Sequence, residues 1–186
     1  ITLSGTAEAN STVKVYDGLT LLGAAAANGA GAWRFTTSHL SDGQHDVYAT
    51  AADKAGNVSG ASDVLAVAVD TAAPALPNID SVSPNTLIGM TAFSNVNQLT
   101  IAGSGEANSV VKIYDGAALI GSVLAGASGD WTFDTAALAN GIHRFSATDT
   151  DTAGNVSAHS AISQLTVDTT APSTPSITSY TPDTGV

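Results

Sequence analysis

The most evident chemistry in this sequence belongs to its carboxylates, and they recur at a fixed interval. The only two glutamates, Glu8 and Glu106, stand 98 residues apart. The same interval separates Asp53 from Asp151, Asn57 from Asn155, and Asp70 from Asp168. Asp149 precedes Asp151 by two residues, whereas Ala51 holds the equivalent place before Asp53. Carboxylates and amide carbonyls are hard oxygen donors, and a set drawn from several segments suits Ca²⁺. Asp149–Gly154 reads Asp-x-Asp-x-x-Gly, like half an EF-hand loop. Ser160 stands where that loop needs its bidentate glutamate, and no helical pattern flanks it, so that assignment fails.

Other chemistries find less support. There is no cysteine, so neither a disulfide nor a thiolate metal site is available. His45 and His143 recur at one repeat position without a second histidine beside them, which falls short of a zinc site. A histidine donating to a backbone carbonyl at a strand corner explains them better. Asp17 and Asp115 lie in Asp-Gly pairs that read as turns. Asp70 and Asp168, each before Thr and near Pro, also fit strand-ending Asx turns. Asp80 and Asp183 offer weaker oxygen donors, Asp183 having Asn85 as its equivalent. No nucleophile elbow is present, and no enzymatic activity is expected.

The balance of 16 acidic against 5 basic side chains leaves no basic patch to neutralise phosphates. Nucleic acid is therefore not an expected partner, and an anionic membrane would repel the chain. No apolar run reaches membrane-spanning length, so no insertion is expected in this segment. Ile1 opens directly on a strand-like pattern, which reads as a fragment whose signal and anchor lie elsewhere.

These residues must be positioned by elements that repeat with them. Residues 1–74 align without gaps on 99–172, and 35 of the 74 pairs are identical. The register continues, with Pro77, Ile79, Ser81 and Pro84 matching Pro175, Ile177, Ser179 and Pro182. The chain thus divides into a unit at 1–72 lacking its first strand, a complete unit at 73–170, and the opening of a third at 171–186. A period near 100 residues is the size of one sandwich domain.

Within the complete unit, strand-like runs alternate with turn signals: A within Ile79–Ile88, B at Gln98–Gly103, C at Val110–Tyr114, D at Ala118–Leu124, E at Asp130–Asp134, F at His143–Thr150, and G at Ala161–Val167. Period-two alternation puts Leu99, Ile101, Val111, Ile113, Trp131, Phe133, Phe145, Ala147, Leu165 and Val167 on the core face. Trp33 and Trp131 therefore read as core residues rather than sugar platforms. The expected class is all-β: tandem immunoglobulin-like seven-strand sandwiches arranged head to tail. The cysteine pair and strand-C Trp of antibody domains are absent; the Trp lies on E. In such a sandwich the BC and FG loops share one end. Stacking would bring Asp70, at the end of one unit, toward Glu106, Asp149, Asp151 and Asn155 of the next. Asp168 would serve a following unit. Glu8 and Asp53 would form a poorer site because Ala51 replaces the partner acid.

Six motifs follow in order in both copies. They are Gly-Thr-Ala-Glu-Ala-Asn, Val-Tyr-Asp-Gly, Gly-x-Trp-x-Phe, Gly-x-His, Asp-x-Ala-Gly-Asn and Asp-Thr-x-Ala-Pro, with substitutions at some positions. This pattern resembles the bacterial Ig-like repeats of giant surface and biofilm adhesins, over nearly the whole chain. The resemblance implies a secreted, cell-surface stalk that extends a terminal adhesive domain, often with Ca²⁺ at its junctions. Its partners would be neighbouring repeats of the same chain, with any host or biofilm receptor bound by other domains. The alternative is an adhesive module that itself binds a receptor or glycan, for which Leu87–Asn97, with Met90 and Phe93, is the most unusual stretch. Phe93 reads rather as a core plug. A third reading is an accessory module of a secreted enzyme. The tail Ser173–Val186 matches an A strand; fraying explains it more simply than addition to the first unit of another molecule.

Overall fold

The computed structural model describes residues 1–88 and 91–181; Met90 and Asp183 fall outside them. Two compact units emerge, Ile1–Ala73 and Pro74–Val186. All regular structure among the described residues is strand.

In the first unit, β1 (Thr2–Thr6) pairs with β4 (Ala32–Thr36). The second sheet has the order β3-β2-β5-β6, from β2 (Thr12–Asp17), β3 (Thr20–Ala26), β5 (Gly43–Ala52) and β6 (Leu65–Val69). Leu3, Val15 and Val47 form its buried cluster, with Trp33, Phe35 and Val67 packed against it. A cavity of about 710 Å³ lies between the sheets, lined by Leu3, Val13, Trp33 and Val47 among others.

The second unit repeats this plan and adds to it. β10 (Thr100–Ser104) lies between β13 (Asp130–Asp134) and β7 (Asn78–Ser83). The facing sheet runs β12-β11-β14-β15-β9-β8, from β11 (Val110–Asp115), β12 (Ala118–Leu124), β14 (Gly141–Thr150), β15 (Ser163–Val167), β9 (Thr91–Ser94) and β8 (Thr86–Ile88). The strand that follows β11 pairs back with it, so it joins the larger sheet. After a cis Ser83–Pro84 bond the chain leaves the sheet of β7, and β9 then runs parallel to β15.

The alternation rule places the core correctly. Leu99, Ile101, Val111, Ile113, Phe145, Ala147, Leu165 and Val167 are at most 1% exposed, and Trp131 is also buried. Val82 of β7 joins this cluster, and Phe133 packs on it half-buried. Burying such side chains contributes about 1.5–3 kcal/mol each, before chain entropy is set against it. The exception is Phe93. It pairs with Thr166 and Thr86, one residue along from the core-packed Ala92, and lies half-buried outside the cluster. In a strand, neighbours in sequence face opposite sides, so Phe93 is not a core plug. Residues 173–181 form no strand, and Ile177 and Tyr180 are largely exposed.

Candidate functional site

Asp149 is the most unusual acidic side chain in the chain. It faces Val111 in the ladder between β14 and β11, on the side shared with Ala147 and Phe145, so its carboxylate points into the sandwich. It is 0% exposed. Its Oδ2 accepts the Glu106 N–H at 2.8 Å, which ties the loop after β10 to the end of β14. Its Oδ1 has no partner, and neither do the buried Ser109 Oγ and Trp131 Nε1. A buried carboxyl oxygen without a partner is costly.

The backbone makes room for this carboxylate. A methyl group built on Gly105 would sit 2.3 Å from Asp149 Oδ2 and 2.9 Å from Oδ1, which no residue but glycine avoids. In the first unit the equivalent pair is Ala7 and Ala51. Glycine and aspartate in one copy thus answer two alanines in the other. The first unit's Ser11 Oγ instead donates to Glu8 O at 2.7 Å. The sequence groups Asp149, at the end of a strand, with the acids of the following loop; the structure buries it beneath that loop. Glu106 and Glu8 are themselves exposed.

The other predicted donors have work within their own loops. Asp151 Oδ1 accepts the Asn155 N–H at 2.8 Å, and Oδ2 accepts Asn155 Nδ2 at 2.9 Å. Asp53 does the same with Asn57, at 2.8 and 2.7 Å, and also accepts the Ala55 N–H at 2.9 Å. The Asn57 side-chain amide, then its backbone N–H, holds the Asp53 carboxyl below the ordinary range. The Asn155 side chain does the same for Asp151. Asp70 and Asp168 accept the N–H two residues on, from Ala72 at 3.0 Å and Thr170 at 2.9 Å, the Asx turns that their sequence context allows. Among the described residues no group of three His, Cys, Asp or Glu side chains is arranged to hold a metal. The structure therefore joins Asp149 to Glu106 and Asp151 to Asn155, each pair within the second unit. Asp53 and Asn57 meet in the first.

At the opposite end of each unit lies a pairing that the turn reading of Asp17 and Asp115 missed. His45 Nδ1 lies 2.6 Å from Asp17 Oδ2, and its Nε2 lies 2.8 Å from Ser41 O. His143 makes the same contacts with Asp115 at 2.6 Å and Ala139 O at 2.9 Å. The carbonyl partner was expected; the carboxylate was not. Its signal is the 28-residue separation of Asp and His in both copies. On the outer face of the first unit, Tyr16 and Tyr48 stack at 5.2 Å across β2 and β5, a stabilising cross-strand pair.

The bacterial Ig-like domain family matches residues 1–71 and again 87–169. Exoglucanase B of Cellulomonas fimi is 34% identical over 94% of this chain, which spans 16% of that relative's length. Among solved structures, the fibronectin(III)-like modules of Clostridium thermocellum CbhA match 90% of this chain and 83% of theirs. The TM-score there is 0.52 at 19% identity, a likeness of fold. The BSP domain of a biofilm-associated protein matches 92% of this chain and 28% of its own, with a TM-score of 0.37 at 22% identity.

Proposed function

The chain belongs to the bacterial Ig-like domain family, and from that premise we propose that its units are spacer repeats of a bacterial surface adhesin, stiffened by Ca²⁺. The single observation that carries the cation is the buried Asp149 carboxylate with an open oxygen beside an exposed glutamate loop. Calcium at that end would take Asp149 Oδ1, Glu106 and backbone carbonyls, with water completing six to eight oxygens. Asp151, on the neighbouring loop of the same unit, would contribute where its bonds to Asn155 leave lone pairs. Bound calcium supplies charge that neutralises the buried acid and cross-links loops. The chain's own residues set the loop geometry and keep water from the buried oxygen. No catalysis is proposed: the polar clusters described above bond to their own loops and turns.

Calorimetric titration tests this. The full chain should bind calcium, and Asp149→Ala should weaken binding at least tenfold. Scattering with calcium and with chelator should give different maximum dimensions if the ion stiffens the array. Wild-type protein that binds no calcium at millimolar concentration would remove the metal from the proposal and leave the spacer role. A second reading is favoured by the likeness to exoglucanase B over most of this chain: an accessory module of a secreted carbohydrate-active enzyme. Co-sedimentation with insoluble glucan separates the two, since a pure spacer stays in solution.

A further inference from the structure

We propose that each sandwich carries a proton-operated clasp, in which a doubly protonated histidine joins the β2–β3 or β11–β12 turn to the corner before the unit's longest strand, β5 or β14. The two clasps are Asp17–His45–Ser41 and Asp115–His143–Ala139. The inference stands apart from the calcium reading, because it concerns the other end of each unit.

The geometry sets the protonation state. A carboxylate and a backbone carbonyl can only accept hydrogen bonds. Each imidazole faces one of each, at 2.6 Å from Nδ1 and at 2.8 or 2.9 Å from Nε2. Both ring nitrogens must therefore carry hydrogen, which makes the ring an imidazolium. A neutral ring has one N–H and must give up one of the two bonds. The short Nδ1 contacts are those of a charge-assisted pair.

The clasp reaches further than its two bonds. The second carboxylate oxygen accepts the N–H of the residue after each histidine, Asp46 at 3.1 Å and Arg144 at 2.9 Å. The carbonyls of those residues accept from Gly18 at 3.0 Å and Gly116 at 2.8 Å. Three segments thus meet on one ring: the β2–β3 or β11–β12 turn, the segment before β5 or β14, and that strand itself. The neighbouring charges differ between copies. Beside His45 stand Asp46, exposed on the same strand, and Asp42, whose Oδ1 accepts from Thr71. His39 lies further back in that corner segment. Beside His143, Arg144 turns its Nε to Gln164 Oε1 at 3.1 Å, and Asn140 replaces Asp42. The strands paired with β5 and β14 present Val67 and Leu165 opposite the rings, which carry no charge.

Both histidines titrate above their ordinary value. For His45 the Ser41 carbonyl is the main cause and Asp17 the next. For His143 burial pulls downward, and the Ala139 carbonyl and Asp115 together outweigh it. A raised folded-state value makes the clasp's stabilisation complete below about 6.5, the free imidazole value, and lost as pH climbs through the raised one.

Imidazole ¹⁵N spectroscopy of the full chain between pH 5.5 and 9.5 tests the clasp. His45 and His143 should show the imidazolium pattern at pH 7, and the amide signals of Asp46 and Arg144 should move with their titration. Asp17→Asn and Asp115→Asn keep an acceptor oxygen but remove the charge. Each should lower the midpoint of its own histidine and flatten the fall in Tm between pH 6.5 and 9, effects that a merely structural turn aspartate would not produce. A mostly neutral ring at pH 7 in the wild type overturns the proposal, even if neither variant folds. Unchanged midpoints in folded variants overturn it equally.

Discussion

Two side chains at one contact distinguish the second unit from the first. Asp149 is buried against Gly105, while Ala51 and Ala7 fill the same places in the other copy. A methyl at position 105 collides with the carboxylate, so Gly105→Ala should destabilise the second unit by about 1–3 kcal/mol, the usual cost of overpacking. Gly105→Ala with Asp149→Ala recreates the first unit's pair and should recover most of that loss. Urea unfolding of the two single variants and the double variant measures the coupling. Additive losses would mean that the two positions do not compensate, and that the coincident exchange between copies is chance. The carboxylates of Asp53 and Asp151 make a separate prediction. Their folded-state values are depressed by asparagine amides, so their contribution is present above the ordinary aspartate range and lost as pH falls through the lowered values. Asp53→Asn with Asp151→Asn should therefore narrow the stability difference between pH 6 and pH 3, read from unfolding midpoints at both.

At the scale of elements, the strands pair for reasons that the sequence shows, and the loop after β14 pairs for reasons that it hides. Beyond Phe145, β15 no longer accompanies β14. Ser157 and Ser160 take its place, each donating its backbone N–H to a β14 carbonyl and accepting a β14 N–H on its hydroxyl, at 2.8–3.0 Å. Ser59 and Ser62 do the same for β5. Ser157→Ala or Ser160→Ala would strand a buried β14 amide, at about 1–3 kcal/mol each. Hydrogen exchange should locate the loss at Asp149 or Ala147 respectively, and undiminished protection there would show that water replaces the hydroxyl. Alternating Leu, Ile, Val and Phe made the core strands readable, because a period of two leaves one buried face. Serines that stand in for a strand have no such period. Asp149 continues the inward alternation of Phe145 and Ala147, but a carboxylate on a core face runs against the usual burial of apolar side chains, so its type outweighed its register. The β8–β9 hairpin was read only as part of the A–B segment, since Thr86–Ile88 and Thr91–Ser94 are too short to establish an alternation.

For the whole molecule, the two units should not melt together. Among the described residues, the second unit's buried cluster holds eleven hydrophobic residues and the first unit's holds three. β10 is hydrogen-bonded along both edges, whereas β1 pairs with β4 alone. More buried apolar surface and fewer open strand edges both favour the second unit. Scanning calorimetry of this chain should resolve two transitions, with the first unit melting at the lower temperature. Calcium should then act unequally, because the buried acid and the glycine that admits it occur in one copy only. A ligand at a hundred times its Kd stabilises the state that binds it by about 2.7 kcal/mol. For a domain of about 100 residues that is a rise in Tm on the order of 10 °C. The upper transition should rise by that amount and the lower one should stay, and Asp149→Ala should abolish the difference. Equal shifts in both transitions would place the ion on groups the two copies share, such as Glu8 with Asp53 and Glu106 with Asp151, and would remove Asp149 from the site.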